Sequence, residues 1–218
     1  SMDYDYATML GYTQEEFEKN FAEYIEQAVQ TLKVPREKLL QDIKAWYDGY
    51  RFHADGDSVY NPVSLAQFFL KRYEFNNYWF DTGTPSFLIE EIKKTHFDFE
   101  DILSRPVNSL AFKAFEIDRI DPLSLLVQTG YLTIKDSFQD FDTTFYRLGF
   151  PNVEVRSAFD TYLLNAYTSI SRNDLAMVGV SLARHVRNGN VDGFMNDLKS
   201  FLKKIPYEIG RASCRERV

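Results

Sequence analysis

Few residues in this 218-residue chain stand at spacings that chemistry demands. A phosphate-cradling P-loop needs glycines followed by Lys and Ser or Thr, and no Gly-Lys pair occurs. Thr82-Gly83-Thr84-Pro85 could aim backbone N–H groups at an anion from a helix N-terminus. An ordinary turn and cap is the favoured reading there, and a phosphate sensor is the alternative. Glu91-Ile92-Lys93 and Asp42-Ile43-Lys44 carry the letters of a Mg²⁺-dependent nuclease strand, in which carboxylates and a Lys converge on metal. Both fall in helical patterns, and chance matches are common in a chain that is 26% charged. His53, His96 and His185 lie far apart, and none has HxH or HExxH spacing. Asp55-Gly56-Asp57 lacks the remaining ligands of a calcium loop and reads as a turn. No GxSxG elbow occurs, and the single Cys214 allows neither an internal disulfide nor a Cys-based zinc site. The sequence therefore predicts no catalytic residue, no metal site and no cofactor held by this chain.

The elements around these residues are mostly helical. Thr13-x-x-Glu16 is a capping box followed by Phe17, Phe21, Tyr24, Ile25, Ala28, Val29 and Leu32, which predicts a helix over 13–32. Pro35 opens a second helix that ends near Gly49. Residues 48–61 read as a loop with at most short strands, because Gly49, Asp55-Gly56-Asp57 and Asn61-Pro62 punctuate them. Pro62 starts a third helix to about Arg72, and Thr84-Pro85 caps a fourth that ends at Lys93-Lys94. A short helix near 98–104 and a strand near 114–118 come next. Asp121-Pro122 starts a helix that Gly130 stops, and Tyr131–Ile134 and Thr143–Leu148 read as strands joined by a polar loop. Helices over about 152–168 and 172–187, and one built on Val191, Phe194, Leu198, Phe201, Leu202 and Ile205, complete the chain. The expected fold class is mainly α with a small β element.

With 44% hydrophobic and 16% aromatic residues, the chain can build a packed core. No run approaches the roughly 20 apolar residues of a membrane helix, and no basic-then-apolar leader opens the chain, so no membrane partner and a cytoplasmic location are expected. The net charge of −7 argues against nucleic acid as a partner, since gripping phosphates rests on Lys and Arg. Arg184-His185-x-Arg187 with Lys199, Lys203 and Lys204 reads as a solvated helix face rather than a nucleic-acid groove. The tail Ile209–Val218 drops the aromatic style of the rest and is similar to a translated short-read sequencing adapter. It is set aside from fold reasoning. Ser1-Met2 reads as a tag scar or as the opening of a gene fragment.

Several strings together resemble one family. Leu10-Gly11-Tyr12-Thr13-x-x-Glu16, Trp46-Tyr47-Asp48-Gly49-Tyr50-Arg51-Phe52, Val59-Tyr60-Asn61-Pro62-x-Ser64 and Tyr78-Trp79-x-x-Thr82-Gly83 are similar to motifs of bacterial AAA-ATPase-like proteins. So are Gln128-Thr129-Gly130-Tyr131-Leu132-Thr133 and Leu148-Gly149-Phe150-Pro151-Asn152, so the resemblance spans about residues 8–207. It implies a P-loop ATPase-like domain before this segment and, in many members, a PD-(D/E)xK nuclease-like domain after it. The implied organisation is a helical lid-like part over 1–105, a winged-helix-like segment over 106–170, and a C-terminal helical hairpin over 171–208. Residues 209–218 are the adapter-like tail. ATP and Mg²⁺ belong, on this reading, to the whole protein, and its partners are the two flanking domains. By analogy with related ATPases, Arg51, His53, Thr82, Gly83 and Thr84 are candidates for sensing nucleotide. The remaining motif residues (Gly11, Trp46, Tyr47, Gly49, Tyr50, Tyr60, Asn61, Pro62, Tyr78, Trp79, Gly130 and Tyr131) are assigned structural roles.

The leading expectation is thus a non-catalytic fragment that couples the nucleotide state of a P-loop domain to a downstream domain. A protein-interaction or scaffolding module is the alternative. A nucleic-acid-binding winged helix is disfavoured by charge: Pro122–Thr129 has no Lys or Arg, and Asp136–Asp142 carries three acids.

Overall fold

A computed structural model describes residues 4–79, 88, 90, 92, 103–109, 115, 116, 119, 120, 122–168 and 170–204. Of the expected helix capped by Thr84-Pro85 only Leu88, Glu90 and Ile92 are described, and they are helical, with Leu88 and Ile92 buried. The adapter-like tail lies outside the described residues, as do Thr82, Gly83, Thr84, Glu91, Lys93, His96 and Cys214. Among the described residues the chain is mainly α with a small antiparallel β element, and it divides into two compact units, Ser1–Ala158 and Phe159–Val218.

The first unit opens with helices α1 (Gln14–Asn20) and α2 (Ala22–Leu32). The capping box forms as expected, with the Thr13 side chain taking the Glu16 N–H and Glu16 taking the Thr13 N–H. The single helix predicted over 13–32 is instead broken at Phe21, whose ψ of 15° departs from helical geometry. The turn lets Phe21 pack edge-on to Tyr12 and stack on Phe69. Helix α3 (Arg36–Tyr47) follows Pro35, and α4 (Pro62–Leu70) has Pro at N1 with Asn61 accepting the Val63 and Ser64 N–H groups. Phe17, Ile25, Ala28, Leu39, Ile43, Tyr47, Tyr60, Leu65, Phe68 and Tyr78 form one buried cluster.

Strands β1 (Val107–Asn108), β2 (Phe115–Glu116) and β3 (Arg119–Ile120) are short. Helix α5 (Pro122–Gln128) precedes β4 (Thr133–Asp140) and β5 (Thr143–Gly149). The sheet runs β1-β5-β4, and β2 pairs separately with β3, all antiparallel. The polar loop expected between 134 and 143 is corrected to strand. The hairpin continues to a two-residue turn at Phe141-Asp142, and a bulge between Ile134 and Asp136 breaks the alternation that would have announced it.

Helix α6 (Val153–Thr168) starts in the first unit and ends in the second. In the second unit α7 (Arg172–Arg187) and α8 (Val191–Leu202) pack as a helical hairpin. Ser171 caps α7 by accepting the Asp174 N–H, and Asn190 caps α8 by accepting the Gly193 N–H. No helix among the described residues is long and apolar enough to cross a membrane.

Gly49 is the position least open to change. Its φ of +107° suits only glycine, and a Cβ there would collide with the Pro151 carbonyl. Gly49→Ala is expected to lower the unfolding free energy by roughly 3 kcal/mol, from backbone strain plus overpacking. Gly179→Ala on α7 meets open space and is expected to raise stability by up to about 1 kcal/mol. Urea unfolding of the two variants checks both.

Candidate aromatic pocket and its carboxylate latch

Five of the sequence motifs meet at one place in the first unit. A pocket of about 230 Å³ is lined by Leu10, Tyr50, Phe52, Val59 to Pro62, Trp79 and Val127 to Gly130. Extended pairings Tyr12↔Tyr60 and Tyr50↔Val59 bring the first three motif segments side by side. Gly11 permits this, because a Cβ there would stand 2.5 Å from the Tyr60 carbonyl. Gly130, at the end of the α5 turn, lies over the rings of Tyr50 and Trp79. Trp79 packs edge-on to Tyr50 at 6.3 Å and against Tyr131 at 5.4 Å. The Tyr50 phenol is buried, which pushes its pKa up and keeps it protonated. The amides of Asn61 and Asn152 flank it, but the Tyr50 hydroxyl and Asn152 Nδ2 have no hydrogen bond of acceptable geometry.

The pocket's far wall is fixed by Glu154, in the first turn of α6. Its side chain is fully buried, and it accepts the Tyr78 and Trp79 N–H groups at 2.7 and 2.9 Å. The Ser64 hydroxyl donates to the same carboxylate at 2.8 Å. One carboxylate thus ties α4, the 78–79 segment and α6. Burial raises its pKa above the usual glutamate value, opposed by the Trp79, Ser64 and Tyr78 hydrogen bonds. Sequence reading missed Glu154, because an acidic residue in the first turn of a helix is ordinarily an exposed partner of the helix dipole.

The other motif residues support the pocket from behind. The Tyr47 hydroxyl bonds both backbone groups of Asn76, donating to its carbonyl at 3.2 Å and accepting its N–H at 3.1 Å. Trp46 packs on Phe75, Tyr60 on Phe17, and the Tyr78 hydroxyl donates to the Glu74 carbonyl.

Of the nucleotide-sensing candidates only Arg51 and His53 are among the described residues, and they line different clefts. Arg51 is held by β4: its N–H donates to Thr133 Oγ1 at 2.8 Å and its guanidinium to the Lys135 carbonyl at 3.2 Å. It also lines a polar cleft of about 410 Å³ with Lys44, Asp48, Asp57 and Ser58. His53 faces a different cleft, accepts the Asp55 N–H at 3.1 Å and packs edge-on to Tyr4. The Asp55-Gly56-Asp57 segment is a turn closed by the Gly56 N–H on the His53 carbonyl. No group of three metal-ligating side chains occurs among the described residues. Asp42 is on α3 and pairs with Lys38, so its ExK-like string is helical there.

In the second unit Ser181 and His185 both engage Asp197 Oδ2, at 2.5 and 3.2 Å. A nucleophilic triad needs its hydroxyl on the histidine. Here both groups converge on the carboxylate, which staples α7 to α8.

The chain is similar to the "Uncharacterized protein in vnfD 5'region" of Azotobacter chroococcum mcd 1, 30% identical over 212 residues. The match covers 95% of this chain and 38% of that relative, so the chain spans well under half of its length. No protein-family profile matches the chain, and no solved structure matches it.

Glu154→Ala leaves two N–H groups and a hydroxyl unpaired beside a cavity, and is expected to cost about 3 kcal/mol. Glu154→Gln keeps an acceptor for both N–H groups and is expected to cost about 1 kcal/mol or less. A raised folded pKa contributes stability that is complete below the unfolded glutamate pKa and is lost as pH rises through the folded value. Wild type is therefore expected to lose ground to Glu154→Gln as pH increases across that window. Urea midpoints of both proteins over the acidic to neutral range check the sign.

Proposed function

We propose that this chain is the coupling part of an AAA-ATPase-like protein, without a catalytic site of its own. The observation that carries the reading is the meeting of motif strings from residues 10 to 130 at one pocket, latched by Glu154. Such a pocket joins elements rather than performing chemistry, since it offers aromatic walls and no nucleophile, metal cluster or acid–base pair. On this reading a P-loop domain with its ATP and Mg²⁺ precedes the segment, and a nuclease-like domain follows it. Residues 1–105 act as the lid-like part, 106–170 as a winged-helix-like transmitter, and 171–208 as the hairpin leading onward. The match to 38% of a longer relative supports a segment that works within a larger protein.

Of the two sensing candidates among the described residues, Arg51 is the one tied to the sheet. It lines a polar cleft with Lys44, Glu15, Asp48 and Asp57 while its backbone is clamped to β4, so a group of the nucleotide domain that reached the cleft would pull on the sheet. His53 and the Thr82-Gly83-Thr84 segment remain secondary candidates. A protein-interaction module is the second reading. It draws on the second unit, where Met177, Val180, Val186, Val191, Met195 and Leu202 are exposed on α7 and α8.

In the longer protein, ATP with Mg²⁺ is expected to slow hydrogen exchange across 48–61 several-fold, and Arg51→Ala to abolish that effect. Exchange indifferent to nucleotide would favour the interaction module. The 218-residue chain by itself is expected to turn over neither ATP nor DNA above a mock purification.

A further inference from the structure

Phe141 breaks the rule of its own turn. The register Asp140↔Thr143 leaves Phe141-Asp142 as a two-residue hairpin loop. The first loop position turns left-handed, where Gly, Asn or Asp fits at least cost. Phe141 occupies it at φ +49°, and its side chain is 96% exposed, so no packing within the chain offsets the strain. An uncompensated violation of this kind marks a residue kept for contact with something else. The arm beneath it is stiff: Phe138 and Phe145 stack at 5.7 Å, and Arg147 lies over Phe138 while pairing with Asp136 at 3.0 Å. Asp140 and Asp142 neighbour Phe141 in the chain, which disfavours phosphate and anionic membranes and is compatible with a protein partner.

A matching receptor exists on the same unit. The aromatic pocket, open to solvent on one side, offers about 230 Å³ between Leu10, Tyr50, Phe52, Trp79 and Val127, room for one aromatic ring, since roughly 150 Å³ holds a benzene in a closed cavity. Gln128 is exposed at its edge and offers amide N–H donors to a carboxylate. Own-chain docking is excluded by the exposure of Phe141. We propose that Phe141 of one copy enters the aromatic pocket of a second copy, with Asp140 or Asp142 accepting from the Gln128 amide of the receiving chain. Each copy then carries one arm and one pocket, and reciprocal use closes a two-fold dimer. The inference uses the same pocket as the coupling proposal and needs no bound nucleotide.

Analytical ultracentrifugation of the 218-residue chain tests it. Wild type is expected to show a concentration-dependent dimer. Phe141→Asn removes the ring while suiting the left-handed turn, and Leu10→Trp, at a site already exposed, narrows the mouth of the pocket. Each is expected to raise the dimer Kd at least tenfold. Mixed together, the two variants regain part of the affinity, because one copy still supplies an arm and the other a pocket. Wild type monomeric up to about 1 mM would overturn the proposal. So would a dimer that Phe141→Asn leaves unchanged, since that contact would belong to another surface.

Discussion

A carboxylate taken out of water among aromatic rings is tolerated only where donors meet it from several sides. Glu154 satisfies that condition with two backbone N–H groups and one hydroxyl drawn from separate parts of the chain. The rest of the first unit is arranged around this requirement. Asn61 caps α4 and so places Ser64 beneath the carboxylate. Tyr47 holds Asn76, which sets the segment that delivers the Tyr78 and Trp79 N–H groups. Asn152 accepts the Val155 N–H at the start of α6, fixing the turn that carries Glu154. The pocket is the outward face of the same arrangement, since Trp79 is both latched at its backbone and exposed to the pocket through its ring.

How much of this was legible depended on whether the signal was local. The capping box at Thr13 and the Asn61-Pro62 start of α4 are short-range hydrogen-bond patterns, and they appear where the spacing predicts them. Gly11 and Gly49 could be recognised as motif glycines, but not the Tyr60 and Pro151 carbonyls that forbid a side chain there, because those contacts are long-range. The break at Phe21 was hidden by an apolar period that runs unbroken across it. The distal half of the β4–β5 hairpin was hidden by its polar composition and by the bulge. Glu154 was the largest omission, and nothing in the order Asn152-Val153-Glu154 separates a buried latch from an exposed helix-start acid.

The absence of a P-loop string, nucleophile elbow or paired histidines in the sequence led to the expectation of a chain without a catalytic centre. The Ser181–Asp197–His185 group has the residue types of a triad but is wired as a staple. The pocket then becomes the feature in need of a role. Aromatic walls, few polar groups and a rigid backbone suit the reception of a side chain more than the turnover of a substrate. Coupling between domains and docking between copies both use such a surface, and they differ in what fills it.

The central claim is that Glu154 organises the 78–79 segment and, through it, the pocket. Amide hydrogen exchange of Tyr78 and Trp79 tests it most directly, since both N–H groups donate to that carboxylate. In wild type both amides should be protected to the level of the helical core. In Glu154→Ala they should lose that protection together, with Val59 and Tyr60 on the pocket wall following. Rapid exchange of Tyr78 and Trp79 in wild type, or protection that survives Glu154→Ala, would contradict the account.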